Sequence, residues 1–121
     1  TQNTLWTDQK SWEFLYHPHS VKMRFSDILK MFVAQQFCSV GFGSSTVNQD
    51  RNLHSILSDF EGEFDMYLRS EELVKLFETS TPSMDLVQAY ALLEQHHFVS
   101  NEDCQGAQVF AQLMASTISN K

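Results

Sequence analysis

The sequence is poor in residues that cross-link or interrupt a chain: it contains two cysteines, two prolines and four glycines. Cys38 and Cys104 could form at most one bridge, so neither a disulfide scaffold nor a zinc site is indicated. We expect two free thiols in a reducing compartment. No apolar run approaches the roughly eighteen residues of a membrane span, and the first residues lack a signal-peptide pattern. We therefore expect a cytoplasmic protein without a transmembrane segment.

Positive charge is also scarce, since eight Lys and Arg stand against fifteen Asp and Glu, for a net charge of −7. A chain of this sign has no electrostatic attraction for nucleic acid or an anionic membrane, but it attracts basic partners. Apolar residues are plentiful, because 42% of the residues are hydrophobic and ten are Phe. That composition is sufficient for one folded domain of 121 residues.

Apolar residues recur at helical spacing along most of the chain. The Gly-, Ser- and Asn-containing segment 38–50 interrupts them and predicts a linker loop. We predict a single all-α domain of five to seven helices, with N-terminal helices in 1–37 and paired helix–loop–helix units in 51–121. The clearest helical stretches are Phe25–Phe37, Ser83–His96 and Ala107–Ile118.

The stretch Leu53–Phe77 carries the pattern that suggests a function. Apolar stripes at its two ends flank the twelve residues EGEFDMYLRSEE. This arrangement resembles the EF-hand, the helix–loop–helix unit that binds calcium. The resemblance implies calcium ligands at loop positions one, three, five, seven and twelve, which are Glu61, Glu63, Asp65, the carbonyl of Tyr67, and Glu72.

The same residues also depart from the EF-hand pattern. Met66 stands at position six, where a sharp turn favours glycine, and Arg69 places a cation at position nine. The C-terminal stretch VFAQLMAS resembles the exiting helix of a last EF-hand, with Val109 in place of the final acidic ligand. We therefore expect weak calcium binding or none, and no other cofactor.

An EF-hand relative without firm calcium binding implies a non-enzymatic protein-binding module, similar to a myosin light chain or calmodulin, that grips a partner helix in an apolar groove. The acidic charge favours a basic amphipathic helix as that protein or peptide partner. The predicted groove residues are Leu73, Leu76, Phe77, Phe110, Leu113 and Met114. These side chains could instead be buried against each other in a closed lobe.

Other interpretations remain open. An acidic helical protein could block a basic surface as an inhibitor or immunity-type protein, and the central loop could belong to a calcium sensor. The stretch SEELVKLF with AYALLEQHHFV resembles a DEP domain, although that family ends in a β-hairpin and AQVFAQLMAST has a helical pattern. His96, His97 and Cys104 lie near each other in sequence, but no oxyanion donor accompanies them, so we expect no enzyme activity.

Overall fold

The computed structural model describes residues 4–44, 55–79 and 84–119. A 3₁₀ helix, Gln9–Leu15, precedes four α-helices in these ranges, and no strand is present there. The all-α prediction is confirmed, whereas the predicted five to seven helices and EF-hand units are not. The linker predicted over 38–50 is non-helical as far as residue 44, and its remainder lies outside the described residues. The α-helices are α1 Met23–Phe37, α2 Ile56–Glu78, α3 Leu86–Gln95 and α4 Asn101–Ser119.

The predicted calcium loop, residues 61–72, is the middle of the continuous 23-residue helix α2. Glu, Met, Leu and Arg are all good helix formers, the segment has no proline, and Gly62 is its one glycine. Pairs one turn apart add support, because Arg69 bonds Glu72 and Lys75 lies 3.9 Å from Glu71. The loop prediction was therefore wrong, since helix formers and ion pairs one turn apart outweigh the one glycine and the segment continues the helix.

The core forms where α1, the C-terminal third of α2, α3 and the first half of α4 meet. α1 packs on α2, α3 packs on α4, and the 3₁₀ helix contacts both α1 and α4. Rings connect the first pair, since Phe77 of α2 lies 5.7 Å from Phe32 and 6.5 Å from Phe37 between centroids. Phe14 of the 3₁₀ helix stacks on Phe37 at 5.1 Å. The short 3₁₀ helix therefore joins the two helix pairs.

A tight turn connects α3 to α4. His97 has a left-handed φ of 57°, and its amide donates to the Glu94 carbonyl at 2.9 Å. The Phe98 amide donates to the Leu93 carbonyl at 2.8 Å, which completes a Schellman motif with both apolar side chains buried. Only residues 96–100 separate the two helices. α4 begins at Asn101, six positions before the predicted start at residue 107.

The buried carboxylate of Asp103 explains the early start of α4. It is 1% exposed and accepts hydrogen bonds from the amides of His19 at 2.7 Å and Ser20 at 3.0 Å. The hydroxyls of Tyr16 and Ser20 also donate to it. The first turn of a helix favours an acidic residue because backbone N–H groups are unpaired there. Asp103 therefore fixes the segment 16–20 against the N-terminal end of α4.

Candidate functional site

Helix α2 has apolar residues on two opposite sides. One side is buried in the core through Leu73, Leu76 and Phe77. At about 100° per residue, the other side collects six large side chains that are 43 to 82% exposed. We call this surface the α2 stripe, and it consists of Ile56, Leu57, Phe60, Phe64, Tyr67 and Leu68.

Three aromatic rings form a continuous surface along the stripe. The Phe60 ring lies 5.5 Å from Phe64 and 6.1 Å from Tyr67 between centroids, and the second pair is stacked. The Tyr67 hydroxyl donates to the Glu63 carboxylate at 2.9 Å, and this bond raises the pKa of Tyr67. A rigid helix thus presents ordered aromatic side chains to solvent, as protein-binding surfaces commonly do.

Basic residues at the start of α1 hold the N-terminal half of α2. Arg24 pairs with Glu63 at 3.3 Å and also with Asp59. Lys22 Nζ donates to the Glu61 carbonyl at 2.9 Å and lies 3.8 Å from the Asp65 carboxylate. All these groups are at least partly exposed, so the contact between the start of α1 and the N-terminal half of α2 is largely electrostatic. It leaves the α2 stripe uncovered on the far side of the helix.

The predicted calcium ligands cannot converge on one ion while this segment is helical. At about 100° per residue, Glu61, Asp65 and Glu72 lie on one side of α2. Glu63 and Tyr67 lie on nearly the opposite side. In the described part of the chain, no group of three or more His, Cys, Asp or Glu residues is arranged to hold a metal ion. Glu63, Asp65 and Glu72 instead form ion pairs with Arg24, Lys22 and Arg69.

The predicted partner groove is also absent from its expected place. Leu73, Leu76 and Phe77 are buried, and Phe77 packs against rings of α1. Phe110 is half-buried beside Tyr16 at 5.8 Å, Met114 is half-buried, and Leu113 is exposed. α2 packs mainly on α1 and α4 mainly on α3, so the two sets do not face each other across a groove. Leu73, Leu76 and Phe77 belong to the core, and Phe110 packs against that core.

A solvent-open cleft of about 940 Å³ lies between the C-terminal half of α2 and α3. Its apolar walls include Leu68, Leu76 and Leu92, and acidic Glu71 and Glu72 line it as well. Leu68 belongs to both the cleft and the α2 stripe, so the two features are continuous. The last residue of α3, Gln95, and the following residue, His96, line the other side of the cleft.

Arg69 ties the middle of α2 to the end of α3. Its guanidinium donates to the carbonyls of His96 at 2.7 Å and His97 at 2.8 Å, and to both carboxylate oxygens of Glu72 at 3.0 Å. It also lies 3.8 Å from the centre of the Phe98 ring. The bond from Arg69 lowers the pKa of Glu72. The residue predicted to weaken a calcium site instead caps the C-terminal end of α3.

Burial raises the pKa of both cysteine thiols. Both Cys38 and Cys104 are free thiols. The Cys104 thiol donates to the Tyr90 carbonyl at 3.1 Å. Burial, together with the negative charges of Glu94 and Asp103, raises the pKa of Cys104. A reactive cysteine requires the opposite shift, because the thiolate is the nucleophile.

The α2 stripe was the feature missed from the sequence alone. Its signal is the alternating spacing of three and four residues through Leu57, Phe60, Phe64 and Tyr67. The EF-hand interpretation divided these residues between a helix and a loop, which hid the spacing. The sequence predicted apolar contact residues on α2, but it placed them on the buried side of the helix.

Comparisons with protein-family models, with curated proteins and with solved structures give no match. In the described ranges, none of the helices has the length and apolar character needed to cross a membrane. The interpretation of the site therefore depends on its own geometry and charge.

Proposed function

We propose that this chain is a non-enzymatic protein-binding module that binds a helix of a partner protein on the α2 stripe. The supporting observation is the row of six exposed apolar side chains on the side of α2 opposite to the core. A contiguous apolar surface of this kind is typical of protein-binding sites. Burial of each large side chain contributes roughly 1.5–3 kcal/mol. The surface is already formed, so binding requires no rearrangement of α2.

The spacing of the stripe favours a helical partner. Leu57, Phe60, Phe64 and Tyr67 occupy the positions that form the seam of a two-helix coiled coil. In that register, Glu61 and Glu63 flank the seam, at the positions that select the partner by charge. The residues Ile56–Leu68 include four acids, three of which pair with Lys22 or Arg24, and the chain as a whole carries a net charge of −7. The proposed partner is therefore a basic amphipathic helix rather than a second copy of this acidic one.

Calcium has no part in this proposal. The side chains that would have to converge on the ion point to opposite sides of α2. The side chains of the α2 stripe include no carboxylate that could bind calcium. Binding should consequently be the same in added calcium and in excess chelator.

A panel of three synthetic helices tests the proposal. The helices share one apolar heptad seam and carry Lys, Gln or Glu at every flanking position. Fluorescence anisotropy should show the tightest binding for the Lys helix and the weakest for the Glu helix, with a preference that declines as salt is added. Millimolar calcium or chelator should leave these affinities unchanged. Failure of all three helices to bind at about 1 mM, the weak limit of specific recognition, would contradict the proposal.

Three alanine variants locate the binding surface. Phe60→Ala should weaken binding of the Lys helix at least tenfold, or about 1.4 kcal/mol, without changing the melting midpoint. Leu113→Ala is the matched control, because Leu113 is similarly exposed but lies on α4. It should leave both quantities unchanged. Phe77→Ala should cost roughly 3–5 kcal/mol of stability as a core truncation. An effect of Leu113→Ala larger than that of Phe60→Ala would move the interface to α4.

A further inference from the structure

We propose that the cleft between α2 and α3 accepts a lysine or arginine side chain from the helix that binds the α2 stripe. This inference rests on the proposed function, because the cleft begins at Leu68, where the stripe ends. A helix lying along the stripe would continue past Leu68 towards the cleft. A long side chain at that end of the helix is then placed to enter it.

The walls of the cleft suit the aliphatic part of a long cationic side chain. Leu68, Leu76 and Leu92 provide apolar surface. Lys and Arg side chains commonly lay their methylene groups on such surface while the charged group stays near water. The cleft is open to solvent, so the charged group keeps part of its hydration.

The rim of the cleft carries two carboxylates, those of Glu71 and Glu72, together with the ammonium group of Lys75. Arg69 already binds Glu72, so Glu71 is the acid that an incoming cation can meet. Lys75 lies 3.9 Å from Glu71, but the side chains of this pair are 74% and 90% exposed. Such an exposed pair is worth little, so an incoming cation can displace Lys75 from Glu71.

Arg69 shows within this chain how the end of α3 binds a guanidinium. It pairs with Glu72 in a bidentate manner and donates to the carbonyls of His96 and His97. Arg69 therefore satisfies Glu72 and the last carbonyls of α3. The Glu71 carboxylate remains as the principal acid for a second cation, with the exposed Lys75 as its competitor.

Two small probes test the cleft without any partner helix. n-Butylguanidinium chloride reproduces the end of an arginine side chain, and n-butylurea is its neutral counterpart. Each is titrated at low salt into the full chain labelled with ¹⁵N, and backbone amide shifts are followed. The guanidinium should give saturable shifts centred on Leu68, Glu71, Leu92 and His96, and n-butylurea should not. Addition of salt to about 150 mM shortens the Debye length to about 8 Å and should therefore weaken the guanidinium shifts.

Matched acid variants then assign the contact. Glu71→Gln should raise the dissociation constant of the guanidinium at least threefold while the Arg69–Glu72 contact is retained. Glu102→Gln changes an exposed acid of α4 outside both the cleft and the α2 stripe, and it should leave the dissociation constant unchanged. Equal shifts from both probes, shifts centred on residues 59–65, or no saturable shift up to about 100 mM would each overturn the inference.

The two proposals can fail separately. Binding of the guanidinium probe with no binding of the helix panel would retain the cation pocket and reject the partner helix. Binding of the Lys helix that Phe60→Ala weakens and Glu71→Gln leaves unchanged would retain the stripe and reject the anchor pocket. Loss of affinity for the Lys helix in both variants supports both proposals.

Discussion

Acidic residues are used in two opposite ways in this protein. Asp103 is buried at the start of α4 and accepts four hydrogen bonds from the segment 16–20. Along α2, three acids instead stay partly exposed and pair with Arg24 of α1 or with Lys22, the residue before α1. They are Asp59, Glu63 and Asp65. The first arrangement fixes chain segments more than eighty residues apart. The second holds half of a helix in place without burying its far side.

The difference explains why α2 can expose an apolar surface, whereas the region around Asp103 is closely packed. A buried carboxylate cannot recover lost partners from water, so its hydrogen bonds constrain the local fold closely. An exposed ion pair competes with water and contributes little stability. A helix held in this way needs few apolar contacts, and the α2 stripe is therefore free to face solvent.

The largest expected effect tests the buried carboxylate against an exposed one. Asp103→Asn should lower the free energy of unfolding by roughly 2–4 kcal/mol, because an amide cannot accept from all the donors and each orphaned buried donor costs about 1–3 kcal/mol. Asp85 is the control, since it caps α3 at the surface with Gln88 as its partner. Asp85→Asn should cost less than about 0.5 kcal/mol, because Asn caps helices equally well. Urea unfolding monitored by circular dichroism measures both, and equal losses would contradict the contrast.

The pH dependence of the free energy of unfolding provides a second test of the Asp103 carboxylate. Burial alone would raise the pKa of Asp103, but hydrogen bonds from Ser20, His19 and Tyr16 outweigh it and lower the pKa. The stabilisation is complete above the unfolded value of about 3.9 and is lost as the pH falls through the lower folded value. The unmodified chain should therefore lose more stability than Asp103→Asn as the pH falls below about 5. Parallel pH profiles would contradict the assignment.

Substitutions of two helical glycines should change stability by intermediate amounts and in opposite directions, because one glycine lies beside the Asp103 network and the other beside the ion pairs of α2. A Cβ at Gly106 would lie 3.0 Å from the Tyr16 ring carbon Cζ, and Asp103 holds that buried ring in place. Gly106→Ala should therefore destabilise by about 1–3 kcal/mol. A Cβ at Gly62 would meet only the flexible Arg24 side chain at 3.3 Å. Gly62→Ala should stabilise by about 0.5–1 kcal/mol through helix propensity. Thermal melts of the two variants should shift in opposite directions, and a common direction would refute this difference.

The smallest effect concerns the ion pairs themselves. Arg24→Ala should lower global stability by at most about 1 kcal/mol, and less at high salt. Hydrogen exchange should show faster opening of residues 56–65 while residues 70–78 keep their protection, because only the first group depends on Arg24. Lys30→Ala is the control, since Lys30 pairs with Asp27 within α1 at 3.6 Å. If exchange accelerates uniformly along α2, the contact with α1 does not act locally.

The amino-acid sequence alone determined that the described chain is helical, and the reason lies in local periodicity. The spacing of apolar residues over Phe25–Phe37, Ser83–His96 and Ala107–Ile118 predicted α1, α3 and most of α4. Met66, which stands where the calcium loop would need glycine, was also informative about the local backbone. It marked a poor calcium turn, and the same absence allows α2 to continue as one helix.

Only the tertiary structure decided which side of α2 is buried and which side faces solvent. Phe60 and Phe77 both fit an apolar helical pattern, and packing against the rings of α1 within the core buries the second. Arg24 meets Asp59 and Glu63 across 35 to 39 residues of sequence, and Asp103 meets Ser20 across 83. Local propensity carries no signal for partners so far apart, because their contacts form only when the helices pack.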